Sequence, residues 1–230
     1  MADPTGKVRV ALLSDSDIPA SFSVLSKSFG HDAPLIDNYF PNHDTPAGQA
    51  QGSARLAAWK HASPASTFLK AVTTQAGDQE QEQEHVIGIA VWTHMKEAPP
   101  AELAQTENVT EVWPDEADRK FMMRLWREYV KPRTKAIEES GGKGVYVLEL
   151  LAVHPGYQRL GAGTALVQWG TKAADEKGVK AVVEGTPVAR RLYEQCGLRT
   201  EIEEMQFEVG EEFAGRRKPK LLFMTRQPRA

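Results

Sequence analysis

The 230-residue sequence contains a single cysteine, Cys196. That excludes an internal disulfide framework and any metal site built from several thiolates. No apolar run approaches the roughly 18 residues that a membrane-spanning helix needs, so no membrane partner is expected. Charge of one sign is also missing. The formal net charge of −3 gives no general attraction to nucleic acid phosphates. The opening "MADPTGKVRV" lacks the charged region and apolar core of a secretory signal. Without such a signal, the "NVT" triplet at Asn108–Thr110 reads as a chance match to a glycosylation acceptor. No spacing of His, Asp and Glu suggests a metal site. The expectation from these absences is a cytoplasmic protein in a reducing compartment.

What is present is an ordinary globular composition, 41% hydrophobic and 26% charged, with enough length for a substantial core. "VRVALL" (8–13) predicts a first strand, followed by a helix from about Asp17 to Phe29. Asp15 or Asp17 can cap that helix, and Ile18, Phe22, Leu25 and Phe29 recur at helical spacing. A Pro- and Asp-rich loop leads to a second helix over 48–62. "TFLKAVTT" (67–74) and "HVIGIAVWTHM" (85–95) read as paired strands, joined by a polar, floppy connection over 75–84. Residues 98–114 read as loop and 115–139 as a helix that Pro132 can kink or split. "GVYVLELLAV" (144–153) is nearly continuously apolar, which predicts a central strand. Helix 163–177 ends at Gly178 in the usual C′ role. Strand 179–184 and a short helix over 187–197 follow. "IEEMQFEV" (202–209) and "KLLFMTR" (220–226) are expected to close the sheet as a hairpin. Strand and helix alternate over the C-terminal half, which implies at least one parallel strand pair and a mixed α/β fold.

Three phosphate-binding patterns compete for "HPGYQRLGAGTAL" (154–166). A P-loop needs a lysine where Ala162 stands, although Gly156 and Gly161 have its spacing. A dinucleotide fingerprint needs a small residue where Leu166 stands, although Gly161 and Gly163 fit. The pattern Q/R-x-x-G-x-G/A is met by Gln158, Gly161 and Gly163. A strand ending, a turn and a helix start would aim successive N–H groups and the positive helix end at a pyrophosphate. The two glycines allow close approach of phosphate oxygens, and Thr164 adds a hydroxyl donor. Taken alone, this pattern is equally compatible with a plain tight turn.

"LELLAVHPGYQRLGAGTALVQWG", a strand, and then "ARRLYEQCGL" (189–198) resemble motifs A and B of the GNAT N-acetyltransferase superfamily. The resemblance implies one domain over residues 1–230. Its fold would be a mostly antiparallel, twisted mixed sheet of about seven strands, flanked by helices, with splayed parallel central strands. Residues 96–144 would be a helical insert between strands, docking on the domain or forming a lid or pocket wall. The implied co-substrate is acetyl-CoA. Its pantetheine would lie along Leu151, Ala152 and Val153. Its pyrophosphate would lie against Gln158, Arg159, Leu160, Gly161, Ala162, Gly163 and Thr164.

In the superfamily a tyrosine at the position of Tyr193 gives the departing thiolate its proton, against the plainer role of a packed helix-face tyrosine. Glu149 interrupts an apolar strand, and burying a carboxylate is costly unless it is paired or functional. It is therefore the candidate general base, or else faces an exposed edge or a structural partner. Glu184 and a water are the other candidates for that proton. The implied activity is acetyl transfer to the primary amine of a small molecule by direct attack in a ternary complex. The alternatives are a protein lysine or N-terminal acetyltransferase and a non-catalytic acyl-CoA-binding module. The chain is expected to act as a monomer or homodimer.

Overall fold

Runs of Val, Ile, Leu and Ala that alternate or continue without charge become strands, and their shared apolar faces join them in one sheet. The computed structural model describes residues 7–76, 82–105 and 107–229. Its strands are β1 (Arg9–Leu12), β2 (Ser66–Ala76), β3 (Glu82–Met95), β4 (Val145–Val153), β5 (Lys180–Gly185), β6 (Arg199–Ile202) and β7 (Leu222–Arg226). Its helices are α1 (Ile18–Phe29), α2 (Pro34–Tyr39), α3 (Pro46–Ala62), α4 (Val109–Val112), α5 (Glu116–Glu138), α6 (Ala162–Lys177) and α7 (Arg190–Gln195). The sheet order is β1-β2-β3-β4-β5-β7-β6. Every neighbouring pair is antiparallel except β4 with β5. This is the expected mixed, mostly antiparallel seven-stranded sheet with helices packed on it.

Three apolar clusters build the core. On one face Trp92, Tyr146, Leu148 and Val183 pack with Leu166, Val167 and Ala174 of α6. The opposite face is shared. Phe22 and Leu25 of α1 and Leu56 of α3 cover Ile89, Val91, Leu150 and Ala152. Phe121, Leu125, Val130 and Ile137 of α5 cover Val145, Val147, Val182 and Phe223. The 96–144 insert thus docks on the sheet and extends the core, with Trp113 and Phe121 buried and Trp126 half-buried. Pro132 does not split α5, which runs unbroken through it.

Several expectations change in detail. Strands β2 and β3 extend into the polar connection as far as Ala76 and from Glu82, and residues 77–81 lie outside the described residues. The segment before α3 contains α2, and the expected loop 98–114 contains α4. The expected strand 202–209 is not one. Strand β6 ends at Ile202, and the chain beyond it, which bends at 203–204, joins no ladder. Met205, Phe207 and Val209 are buried there while Glu204, Gln206 and Glu208 are exposed. The alternation reports a half-buried strip packed under α5, not strand pairing.

Candidate active site

The parallel pairing of β4 with β5 runs only from Val145–Lys180 to Leu148–Val183. Beyond that point the two strands share no register, and a wedge opens between them. On its other side β4 stays paired to β3 as far as Gly88–Val153, and the His154 N–H donates to the Ile87 carbonyl at 2.8 Å. Backbone groups alternate along a strand with period two. Ala152 therefore turns its N–H and C=O to β3, like His154, and Leu151 and Val153 turn theirs to the wedge.

The glycine stretch closes one end of this wedge. Arg159 has φ 67° and Gly161 φ 90°, a left-handed geometry that glycine adopts freely and arginine only at a cost. Left-handed residues interleaved in such a turn gather successive N–H groups into an anion-binding concavity. Among the described residues, the N–H groups of Gly161 to Thr164 have no hydrogen-bond partner. A Cβ on Gly161 would meet nothing within 4 Å, so the loop is open where an anion would approach. Gly163 is there for packing, since its Cβ would lie 3.1 Å from Leu192 and 3.6 Å from Val153. That contact pins the start of α6 against both β4 and α7. The Gln158 side chain reaches back to the Val153 carbonyl at 3.4 Å and braces the loop. Arg159 and Leu160 are exposed, whereas Ala162 is buried and Thr164 half-buried. The residues present fit a pyrophosphate with a thin pantetheine arm beside it.

Glu149 acquires an explanation that its sequence neighbours do not provide. The β3–β4 register slips so that Val91 faces Leu150 and Trp92 faces Leu148, which leaves Glu149 as the extra residue of a β-bulge. Bulges re-aim side chains. Here the Glu149 carboxylate meets Thr93 of β3, which donates to it, and the Nη1 of Arg133 at 3.2 Å. Arg133 is itself buried, and its Nε and Nη2 clamp Glu184 at 3.0 and 2.6 Å. One guanidinium thus serves two carboxylates, leaving a formal charge of −1 in a buried cluster. Burial raises the pKa of Glu149 despite the opposing pull of Arg133 and Thr93. The Arg133 guanidinium also stacks over the Tyr129 ring at 4.8 Å. Arg133 is the residue of this site that the sequence did not reveal.

Tyr193 lies buried on α7 at the end of β5. A Cβ on Gly185 would come 2.4 Å from its ring, so that glycine makes the room the ring occupies. No group among the described residues hydrogen-bonds the Tyr193 hydroxyl. Burial raises its pKa, so it keeps its proton at neutral pH. The structure thus brings Tyr193, the wedge and the loop into one place. Glu149 and Glu184 stand together around Arg133 on the α5 face of the sheet. On that face Tyr39 lies near enough for the Glu149 charge to raise its pKa, after burial and Glu107. Tyr39 stacks on Trp126 with ring centroids 6.4 Å apart, and Trp126 meets Tyr129 at 6.0 Å. His154 accepts from the Gly156 N–H at 3.1 Å, the work of a turn residue. Cys196 is a packed thiol whose pKa burial raises.

Among the described residues no helix is long and apolar enough to cross a membrane. The fold resembles that of arylalkylamine N-acetyltransferase 2 from Aedes aegypti, at TM-score 0.61 and 15% identity, covering 96% of this chain and 99% of that one. A Corynebacterium glutamicum protein described as "histone acetyltransferase HPA2 and related acetyltransferase" superposes at TM-score 0.60 and 18% identity, covering 97% and 98% of the two chains. Identities this low speak to fold alone. An acetyltransferase from Stachybotrys chartarum is 28% identical over 129 residues, 56% of this chain and 55% of that relative. The match therefore spans little more than half of the relative's length. The model of the Acetyltransferase (GNAT) family matches residues 81–198, the stretch that carries β3, the bulge, the glycine loop and Tyr193. The chain belongs to the GNAT acetyltransferase family.

Proposed function

We propose that the protein transfers the acetyl group of acetyl-CoA to the primary amine of a small molecule, by direct attack within a ternary complex. The observation that carries this is the end of β4–β5 pairing at Leu148–Val183 beside a loop whose N–H groups from Gly161 to Thr164 are unpartnered among the described residues. A pantetheine arm lies in such a wedge as an added strand, donating to and accepting from Leu151 and Val153. The pyrophosphate takes the N–H groups of Arg159 to Thr164 and the positive end of α6. Acetyl-CoA supplies an activated thioester. The chain supplies orientation and the two proton positions.

Glu149 is the better of the two carboxylates as proton acceptor. Glu184 is fully buried and held through both oxygens, whereas the Glu149 side chain keeps 14% exposure and a single contact to Arg133. Its raised pKa brings it closer to the range in which a base both accepts and releases a proton. It takes one proton of the bound ammonium, directly or through one water, and the neutral amine attacks the thioester carbonyl. Tyr193 gives the departing sulfur its proton and regains one from the nitrogen of the tetrahedral adduct. The buried charge of −1 and the rings of Tyr39, Trp126 and Tyr129 favour an acceptor that arrives as an ammonium, the rings through cation–π attraction. Incubation with acetyl-CoA and a panel of small amines, read by release of free CoA thiol, tests the proposal. Thiol release that requires a primary amine supports it. A protein free of thiol release on every small amine but active on lysine-containing or N-terminal peptides belongs to the protein-acetylating alternative. Binding of acetyl-CoA without turnover on any amine or peptide points instead to the acyl-CoA-binding module.

A further inference from the structure

We propose that His31, Asp37 and His43 bind one divalent transition-metal ion of the zinc class, on the segment that joins α1 to α3. His31 follows the end of α1, Asp37 is on α2, and His43 lies in the turn before α3. One ligand atom from each lies within 4.8 Å of the other two. His31 Nδ1 is 2.9 Å and His43 Nε2 is 3.1 Å from the same Asp37 oxygen, Oδ1. A tetrahedral zinc ion with bonds of about 2.0–2.1 Å separates its ligand atoms by about 3.3 Å. Two of the three edges are already near that length, and the third closes by rotation of the exposed His31 ring. The fourth position is left to water.

The outer nitrogens of both rings are held from behind. His43 Nδ1 lies 2.8 Å from the buried Ser26 hydroxyl, and His31 Nε2 lies 3.3 Å from Asp44 Oδ2. Oxygen partners on the far nitrogen fix ring orientation and direct the other lone pair inward, which is how metal-bound histidines are supported. The Ser26 hydroxyl also reaches the His43 carbonyl oxygen at 3.0 Å. When it donates there, Nδ1–H must donate to Ser26, and a neutral His43 then presents a bare Nε2 lone pair to the Asp37 carboxylate. Two acceptors at 3.1 Å repel unless a cation lies between them. A proton can do this. A divalent ion does it better, because it neutralises both carboxylates at once.

The fold fixes this arrangement without the ion. Asn42 takes a left-handed φ of 53°, and Gly48 of α3 packs so closely that a Cβ would lie 1.8 Å from the Asn42 carbonyl oxygen. His43 is therefore delivered, 1% exposed, to a fixed point. Arg217 of the C-terminal segment donates to the His31 carbonyl at 2.9 Å, and Arg216 lines the same recess beside Asp37. The ion would strap the end of α1, α2 and the following turn together. This proposal does not depend on acetyl transfer.

Titration of the metal-free full-length protein with cobalt(II), followed by visible absorption, tests it. The expected result is one equivalent bound with the intense bands of four-coordinate cobalt, displaced by zinc. His31→Ala, an exposed position whose loss does not threaten folding, should abolish the bands, and so should Asp37→Asn. Asp44→Asn should weaken binding about 10- to 100-fold, as for other outer-sphere partners. Absence of saturable 1:1 binding in the native protein overturns the proposal and leaves a cluster held by protons alone. Binding that persists undiminished in both His31→Ala and Asp37→Asn overturns it equally, by placing the ion elsewhere.

Discussion

Replacing Arg133 by Met probes the buried cluster that ties the 96–144 segment to the sheet. The Arg133 side chain is 1% exposed, and it is the ion-pair partner of both Glu149 and Glu184. Its loss leaves two carboxylates in apolar surroundings without a counter-charge. Removal of one partner from a buried pair costs about 3–5 kcal/mol. For a chain of this size each kcal/mol is about 2–4 °C in Tm, so Arg133→Met should melt about 6–20 °C below the native protein at pH 7. The pH dependence identifies the cause. Without the guanidinium Glu149 loses the attraction that opposes the effect of its burial, and its folded-state pKa stands further above that of the unfolded chain. Such a group holds its proton longer in the folded state, so stability falls as pH rises from the ordinary carboxyl range through the raised value. Burial already raises Glu149 with Arg133 in place. Urea titrations at pH 7 and near pH 5 should therefore show a large deficit that shrinks in acid. Adding Glu149→Gln and Glu184→Gln to Arg133→Met should flatten that pH dependence and recover part of the loss. A deficit below about 1 kcal/mol at pH 7, equal at both pH values, would refute the buried-cluster reasoning.

Tyr193→Phe should lower turnover about 10²- to 10⁴-fold while acetyl-CoA affinity and Tm stay near native, because the hydroxyl has no hydrogen-bond partner among the described residues to lose; unchanged kcat removes Tyr193 from the acid role. Gly170→Ala places a Cβ 1.9 Å from the Trp92 ring, which is stacked on Tyr146 and donates to the Leu166 carbonyl, so overpacking should cost about 3 kcal/mol or more by chemical denaturation. Asp175→Asn breaks the two-point grip on buried Arg226, at 2.7 and 2.8 Å, and should cost about 2–3 kcal/mol at pH 7. Arg226 lowers the pKa of Asp175, so this contribution is complete above the ordinary carboxyl range and is lost as pH falls through the lowered value. The Asp175→Asn deficit should therefore also narrow in acid.

The sequence carried those parts of the fold and site that depend on local pattern. The apolar run of β4, the glycines after it and the "LYEQCG" helix are contiguous, so their roles are written in neighbouring residues. Features that need strands in register were not legible. The bulge at Glu149 exists only because β3 and β4 slip by one residue, and nothing in "VLELLAV" distinguishes it from a regular strand. Arg133 lies 51 residues from Glu184 in sequence. Its one local signal is a lone charge on the stripe of α5 formed by Tyr129, Val130, Ala136 and Ile137, all buried. The meeting of His31, Asp37 and His43 arises from a tight turn and a helix of six residues, neither of which follows a metal-binding spacing. The alternation in 204–209 was real but was produced by packing under α5, not by a neighbouring strand.

Titration of acetyl-CoA into isotope-labelled protein, followed by backbone amide resonances, tests most directly the claim that the wedge and the glycine loop form a thioester site. Saturable shifts should concentrate at Leu151, Val153 and Arg159 to Thr164, with the loop amides moving most. No binding of any CoA ester at millimolar concentration, or shifts confined to other surfaces, would contradict the claim.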